Sequence, residues 1–187
     1  MDFSPALAYP APEIEGSMAP PVGDRYQTFY KVNSAMKIFK AAGGPGGGVP
    51  VAFGSDWPSA LIPDPNGFHQ MQAWITRIKP EEPESASLNP SEAIALEDAI
   101  YGFTMGGAHC LGRGWEEKLG SIEPGKHADF IVLDRNLFEI PVQELWKTRV
   151  ERTVVGGDVV YDRTFDLVDD LINEETFNPG TRYSSGD

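Results

Sequence analysis

"VPVAFGSDWP", residues 49–58, is the stretch on which the reading of the fold turns. Val49, Val51, Ala52 and Phe53 make a short apolar run with no polar alternation. A strand apolar on both faces belongs in a parallel sheet covered by helices. The run stops at Gly54 and Ser55, and Asp56 stands before Trp57 and Pro58. In parallel α/β folds, ligand chemistry gathers at the carboxyl ends of the strands. A carboxylate there can bind a divalent metal, act as a general base toward metal-bound water, or do both. It can equally cap the next turn, as aspartate often does.

Working outward, residues 25–42 carry Tyr26, Phe29, Tyr30, Ala35, Met36 and Phe39 near helical spacing. "GGPGGG" at 43–48 ends that helix and leads into the strand. Beyond the Asp56 loop, Asn66 is placed to cap a helix through about Ile78, with Met71, Trp74, Ile75 and Ile78 as its buried stripe. "NPSE" at 89–92 predicts a capping box, with Asn89 at the N-cap, Pro90 at N1 and Glu92 at N3. From Lys118 the texture changes. "LGSIEPGKHADFIVLD" reads as strand, turn, strand about Pro124-Gly125, and "RVERTVVGGDVVYD" as a hairpin about Gly156-Gly157. The expected division is residues 1–115, helix-rich α/β; 116–165, a small β module; and 166–187, an acidic and then polar tail.

Bulk properties narrow the partners. The 187 residues hold 15 basic and 28 acidic side chains, a formal net charge of −13. That argues against nucleic acid and against an anionic membrane surface, both of which need a positive footprint. One cysteine, Cys110, excludes an intrachain disulfide. No apolar run approaches the ~18 residues that span a bilayer, and the amino terminus lacks the pattern of a signal peptide. Cytoplasm is the expected compartment. "GGPGGG" lacks the Lys-Ser/Thr of a phosphate loop, Ser55 lacks a nucleophile-elbow context, and the acidic runs lack the alternating ligands of a calcium loop.

Taken in order, "GVPVAFGSDWP", "WITR" at 74–77, "NPSEA", "KLGSIEPGKHADFIVLDRNLFEIP" and "TVVGGDVVY" resemble the C-terminal portion of amidohydrolase family 3. The resemblance covers most of residues 49–162 and is weaker over 1–48. It implies an α/β fold of the metal-dependent hydrolase type. The chain would supply the last one or two units of a (β/α)8 TIM barrel and the C-terminal part of a small β-sandwich. It also implies that Asp56, at the end of the eighth barrel strand, is both catalytic acid/base and metal ligand. The cofactor implied is a divalent metal, zinc first, and the substrate a small molecule of amide or formamide type.

The same resemblance exposes a gap. The family takes metal ligands from earlier strands, among them a His-x-His pair, and this chain has none. Its histidines are His69, His109 and His127. His69 is read as a surface position or a support for a ligand, His109 as half of a His-Cys pair that cannot close a site alone, and His127 as solvated. A (β/α)8 barrel takes ~250 residues. The chain is therefore expected to be a C-terminal piece, inactive by itself, that pairs with a missing N-terminal half or with copies of itself. A competing reading makes it a catalytically inactive remnant or partner module without bound metal. Arg77 is expected to brace the fold, while Trp57 and Pro58 shape a substrate mouth.

Overall fold

The computed structural model describes residues 66–164 continuously, together with 2–3, 9, 21, 23, 25, 32–41 and 50–55. Asp56, Trp57, Pro58, the glycine run at 43–48 and the tail from 165 onward lie outside the described residues. The elements are β1 (Asp2–Phe3), α1 (Val32–Ala41), β2 (Ala52–Phe53), α2 (Gly67–Thr76), α3 (Leu96–Phe103), α4 (Met105–Leu111), β3 (Phe130–Leu133), β4 (Val150–Val155) and β5 (Asp158–Asp162). Short 3-10 turns occupy Pro90–Glu92, Trp115–Glu117 and Val142–Lys147. The architecture is mixed helix and strand. The described residues form two small sheets, β1–β2 and β3–β4–β5.

The apolar run pairs as its composition demands. β2 lies parallel to β1, Asp2 opposite Ala52 and Phe3 opposite Phe53. Val51, Ala52 and Phe53 are all buried. The strand is held against α3 and α4 by two glycines with no room for a side chain. A Cβ on Gly102 would lie 2.3 Å from the Phe53 ring, and one on Gly106 would lie 2.1 Å from the Val51 carbonyl oxygen. Phe53 in turn stacks on Trp74, with centroids 5.4 Å apart, and tilts against Phe103.

Helix α2 is the centre of the core. Asn66 accepts a hydrogen bond from the Phe68 N–H at 2.9 Å, the expected N-cap. Burial goes well beyond one stripe, because every residue from Phe68 to Trp74 is buried. The helix packs on β2 and α3 on one side and on the Val142–Lys147 turn on the other, where Gln72 Oε1 accepts from the Trp146 N–H at 3.1 Å. Arg77 ends it in the left-handed region, φ 59°, its N–H bonded to the Ala73 carbonyl at 2.8 Å. The Arg77 side chain is fully buried; Nε donates to the Leu88 carbonyl and the guanidinium lies 5.3 Å from the Trp74 ring centroid. Arg77 thus braces the chain from α2 to Leu88.

Two local expectations give way to tertiary contacts. Asn89 stands at the N-cap position of the 3-10 turn that Pro90 opens, but at φ 50° its side chain makes no capping hydrogen bond, and α3 starts only at Leu96. Glu92 is buried and reaches α1 instead, accepting from the Ser34 N–H at 2.9 Å and the Ser34 hydroxyl at 2.6 Å. Its carboxylate therefore serves the first turn of a different helix, whose early N–H groups lack intrahelical partners. The first strand expected from Lys118 does not form either. Gly120, at φ 89°, packs so closely on α4 that an added Cβ would meet Met105 and Ala108 at about 3 Å, and an extended strand cannot follow that path.

The turns after it match the expectation. Lys126 N–H bonds the Glu123 carbonyl at 3.1 Å around Pro124-Gly125, with Gly125 at φ 93°. Gly156 and Gly157, at φ 60° and 91°, join β4 to β5, Val155 opposite Asp158. β3 completes an antiparallel three-stranded sheet, and Asp129 Oδ1 accepts from the Gly156 N–H at 2.6 Å.

Candidate active site

The approach to Asp56 is described, though Asp56 itself is not. Buried Val51–Phe53 emerge into half-buried Gly54 and Ser55, the last described residues before it. The carboxyl end of β2 is therefore a fixed point, clamped between Trp74 of α2 and the glycine faces of α3 and α4. The placement of Asp56 as catalytic group and as metal ligand lies outside the described residues.

The three histidines are described, and they do not converge. His69 is buried on α2, not on the surface. Its Nε2 lies 2.8 Å from Glu81 Oε1, and Tyr9 meets the ring edge-on at 6.5 Å. Glu81 comes from the proline-broken segment after α2, and no spacing in the sequence announced that pairing. His109, on α4, has Nδ1 3.9 Å from Glu116 Oε1 and its ring 6.5 Å from that of Tyr101. Burial raises the Tyr101 hydroxyl above its ordinary pKa, with a smaller contribution from Cys110. His127 is exposed. Arg77, whose Nη1 and Nη2 have no partner among the described residues, has its pKa pushed down to about 10 by burial, against the opposing pull of Glu92.

The amidohydrolase family model matches residues 46–161, which include the strand, the Gly-Ser-Asp exit and all of the antiparallel sheet but its last residue, Asp162. The chain belongs to the amidohydrolase family. Within that family it is 35% identical over 129 residues to an N-substituted formamide deformylase of Arthrobacter pascens, covering 69% of this chain and 22% of that protein. It is 32% identical over 117 residues to the putative amidohydrolase YtcJ of Bacillus subtilis, covering 63% of this chain and 21% of that protein. An imidazolonepropionase of Porphyromonas gingivalis is 40% identical over 68 residues, 36% of this chain and 16% of that protein. The chain thus spans about a fifth of the length of the curated relatives it matches. No solved structure matches it.

Amidohydrolases generally use a divalent metal. Among the described residues no group of three or more His, Cys, Asp or Glu side chains comes together as a metal site. Structural and catalytic zinc sites need at least three protein ligands, so the described residues do not fit the ion. Among those residues, too, no helix is long and apolar enough to cross a membrane.

Proposed function

We propose that this segment belongs to a hydrolase of carbon–nitrogen bonds other than peptide bonds, acting on an N-substituted amide or formamide. Asp56 is its proton-transfer carboxylate. One observation carries the reading: the family match runs through the strand and its Gly-Ser-Asp exit, and a relative 35% identical over 129 residues is an N-substituted formamide deformylase. The chemistry suits a carboxylate at a clamped strand end. An amide nitrogen leaves poorly until it is protonated, so one group that first accepts a proton and then donates it serves both halves of the reaction.

In this reading residues 1–115 belong to a TIM-barrel catalytic part and 116–165 to a β-sandwich part, in a cytoplasmic protein. The change from helices ending at Leu111 to antiparallel strands from Phe130 supports that division. Zinc, with Asp56 among its ligands, requires further ligands from outside the described residues.

The test is Asp56→Asn in the longest reading frame that carries this segment, with kcat on N-substituted formamides and bound metal per chain measured together. Removing general acid–base catalysis lowers kcat by ~10²–10⁴-fold. A variant retaining more than about a tenth of the rate would fall short of that range and return Asp56 to a turn cap. A wild-type frame with neither turnover nor metal would make the segment an inactive partner module.

A further inference from the structure

Of the six asparagines in the chain, only Asn66 is followed by glycine. That pair carries a chemistry of its own. A glycine amide nitrogen has no Cβ beside it, so in an open chain it reaches the carbonyl carbon of the preceding asparagine side chain. Nothing in the fold demands glycine at 67. Its φ is not positive, and a Cβ there would meet only the Phe103 ring, at 3.8 Å, an ordinary contact. Both residues are half-buried and line an open cavity of about 520 Å³, so solvent reaches them.

The folded geometry holds the two reacting groups apart. Asn66 has ψ 113°, which turns the Gly67 nitrogen well away from the Asn66 Cβ about the Cα–C bond. The side chain is also engaged, its Oδ1 accepting from the Phe68 N–H at 2.9 Å. Ring closure needs both the rotation of that bond and the release of the cap. The turn that resists this is lightly held. Its backbone bond from the Gln70 N–H to the Asn66 carbonyl is 3.3 Å long, beyond the usual range. Glycine at the first helical position adds backbone freedom that the helix must give up. Helix ends open locally at far lower cost than the whole fold.

We propose that the Asn66–Gly67 bond is a site of spontaneous deamidation, closed by the first turn of α2 and opened when that turn frays. The Gly67 nitrogen, having lost its proton to hydroxide, bonds to Asn66 Cγ. The Cγ–NH₂ bond breaks, and the amino group departs as ammonia, taking a proton from water. Water then opens the cyclic imide at either carbonyl, leaving an aspartate or a β-linked isoaspartate. The two products differ in consequence. Aspartate caps a helix as well as asparagine does, and its charge is favoured by the helix dipole, in a cavity whose walls include Arg149 and Arg163. Isoaspartate adds a methylene to the backbone where α2 begins and displaces the cap. The inference is independent of the proposed hydrolase activity and concerns a different part of the chain from Asp56.

The test is peptide mass spectrometry of the 187-residue chain held at mildly alkaline pH, once folded and once in urea. Conversion of amide to acid at Asn66 is expected in both, and about tenfold slower in the folded chain, the scale set by a helix cap and its first turn. Gly67→Ala has room for its Cβ and should slow conversion severalfold even in urea, where no helix protects the bond. Asn66→Asp should melt no lower than the parent, because the cap is kept. Equal rates in the folded and unfolded chains would overturn the proposal, since the turn would then guard nothing. So would a folded chain that stays unconverted until it unfolds globally, or a rate in urea that Gly67→Ala leaves unchanged. A lower melting temperature for Asn66→Asp would overturn the assignment of aspartate as the tolerated product.

Discussion

Helix α2 and the β3–β4–β5 sheet are both rich in apolar side chains, and they sit in opposite surroundings. From Phe68 to Trp74 no residue of α2 is exposed, and Trp74 is wholly covered. In the sheet, Ile131, Val159 and Val160 are 47%, 55% and 61% exposed. The helix is surrounded by segments distant in sequence: Tyr9, Phe53, Ile94 and Leu145 all share its core. The sheet is held by its own ladder, two glycine turn residues and the Arg152–Asp162 pair. Hydrophobic burial stabilises the first region and hydrogen-bond geometry the second. The two should therefore respond very differently to substitution.

The largest effect belongs to α2. Trp74→Ala removes a fully buried ring that stacks on Phe53 and lies beneath Arg77. Such a truncation costs about 3–5 kcal/mol, measured as the shift in urea unfolding. A loss under 1 kcal/mol would mean that α2 is not the core of the chain in solution. Gly106→Ala comes next. Its new Cβ would lie 2.1 Å from the Val51 carbonyl oxygen, which is backbone and cannot rotate away. Overpacking of this kind costs roughly 1–3 kcal/mol, and here the strain falls on the strand that leads to Asp56. In a catalytically complete protein the same substitution should lower turnover more than an equally destabilising change in the sheet. Equal effects would separate the strand's position from the chemistry.

What the sequence made legible follows the same division. The hairpin at Gly156-Gly157 and the Pro124-Gly125 turn could be read because positive φ is a local demand that few residues meet. The Asn66 cap is local as well. The capping box at Asn89 failed because Glu92 had a competing partner, Ser34, 58 residues earlier in the chain, and no window of neighbouring residues contains that information. The strand expected at Lys118 failed for a like reason, since Gly120 fits closely against α4. At the candidate site, the apolar run ending in Gly-Ser-Asp could be recognised, but the role proposed for Asp56 rests on the family resemblance alone. The His69–Glu81 pair gave no signal, because a charged, proline-broken loop reads as solvated surface.

A smaller effect, confined to acid, is expected where the sheet meets the Val142–Lys147 turn. The Arg135 side chain, aided by the Arg149 backbone N–H and opposed by partial burial, holds Asp134 down to about 2 from its ordinary 3.8. Between those values the unfolded chain binds more protons than the folded one, so stability falls as the pH falls. The contribution is complete above about pH 4 and is lost as the pH drops through about 2. Asp134→Asn should flatten the dependence of Tm on pH within that window and leave the slope above it unchanged. An unaltered slope would mean that another carboxylate carries the acid sensitivity.

The smallest effect is the sharpest check on the comparison. Between Thr153 and Val154 the β4–β5 register jumps, Thr153 facing Tyr161 and Val154 facing Val159. Val160 is thereby left as the extra residue of a bulge, unpaired in the ladder and 61% exposed. Bulged residues bear little of the ladder's stability, and threonine keeps the branched shape that a strand favours. Val160→Thr should therefore change the unfolding free energy by no more than about 0.5 kcal/mol, as surface substitutions do. Urea titration of the two proteins at several concentrations, with light scattering alongside, measures this directly. A cost of 2 kcal/mol or more that grows with protein concentration would show the side chain buried in an assembly. The contrast between covered helix and open sheet would then hold for the single chain but not for the protein in solution.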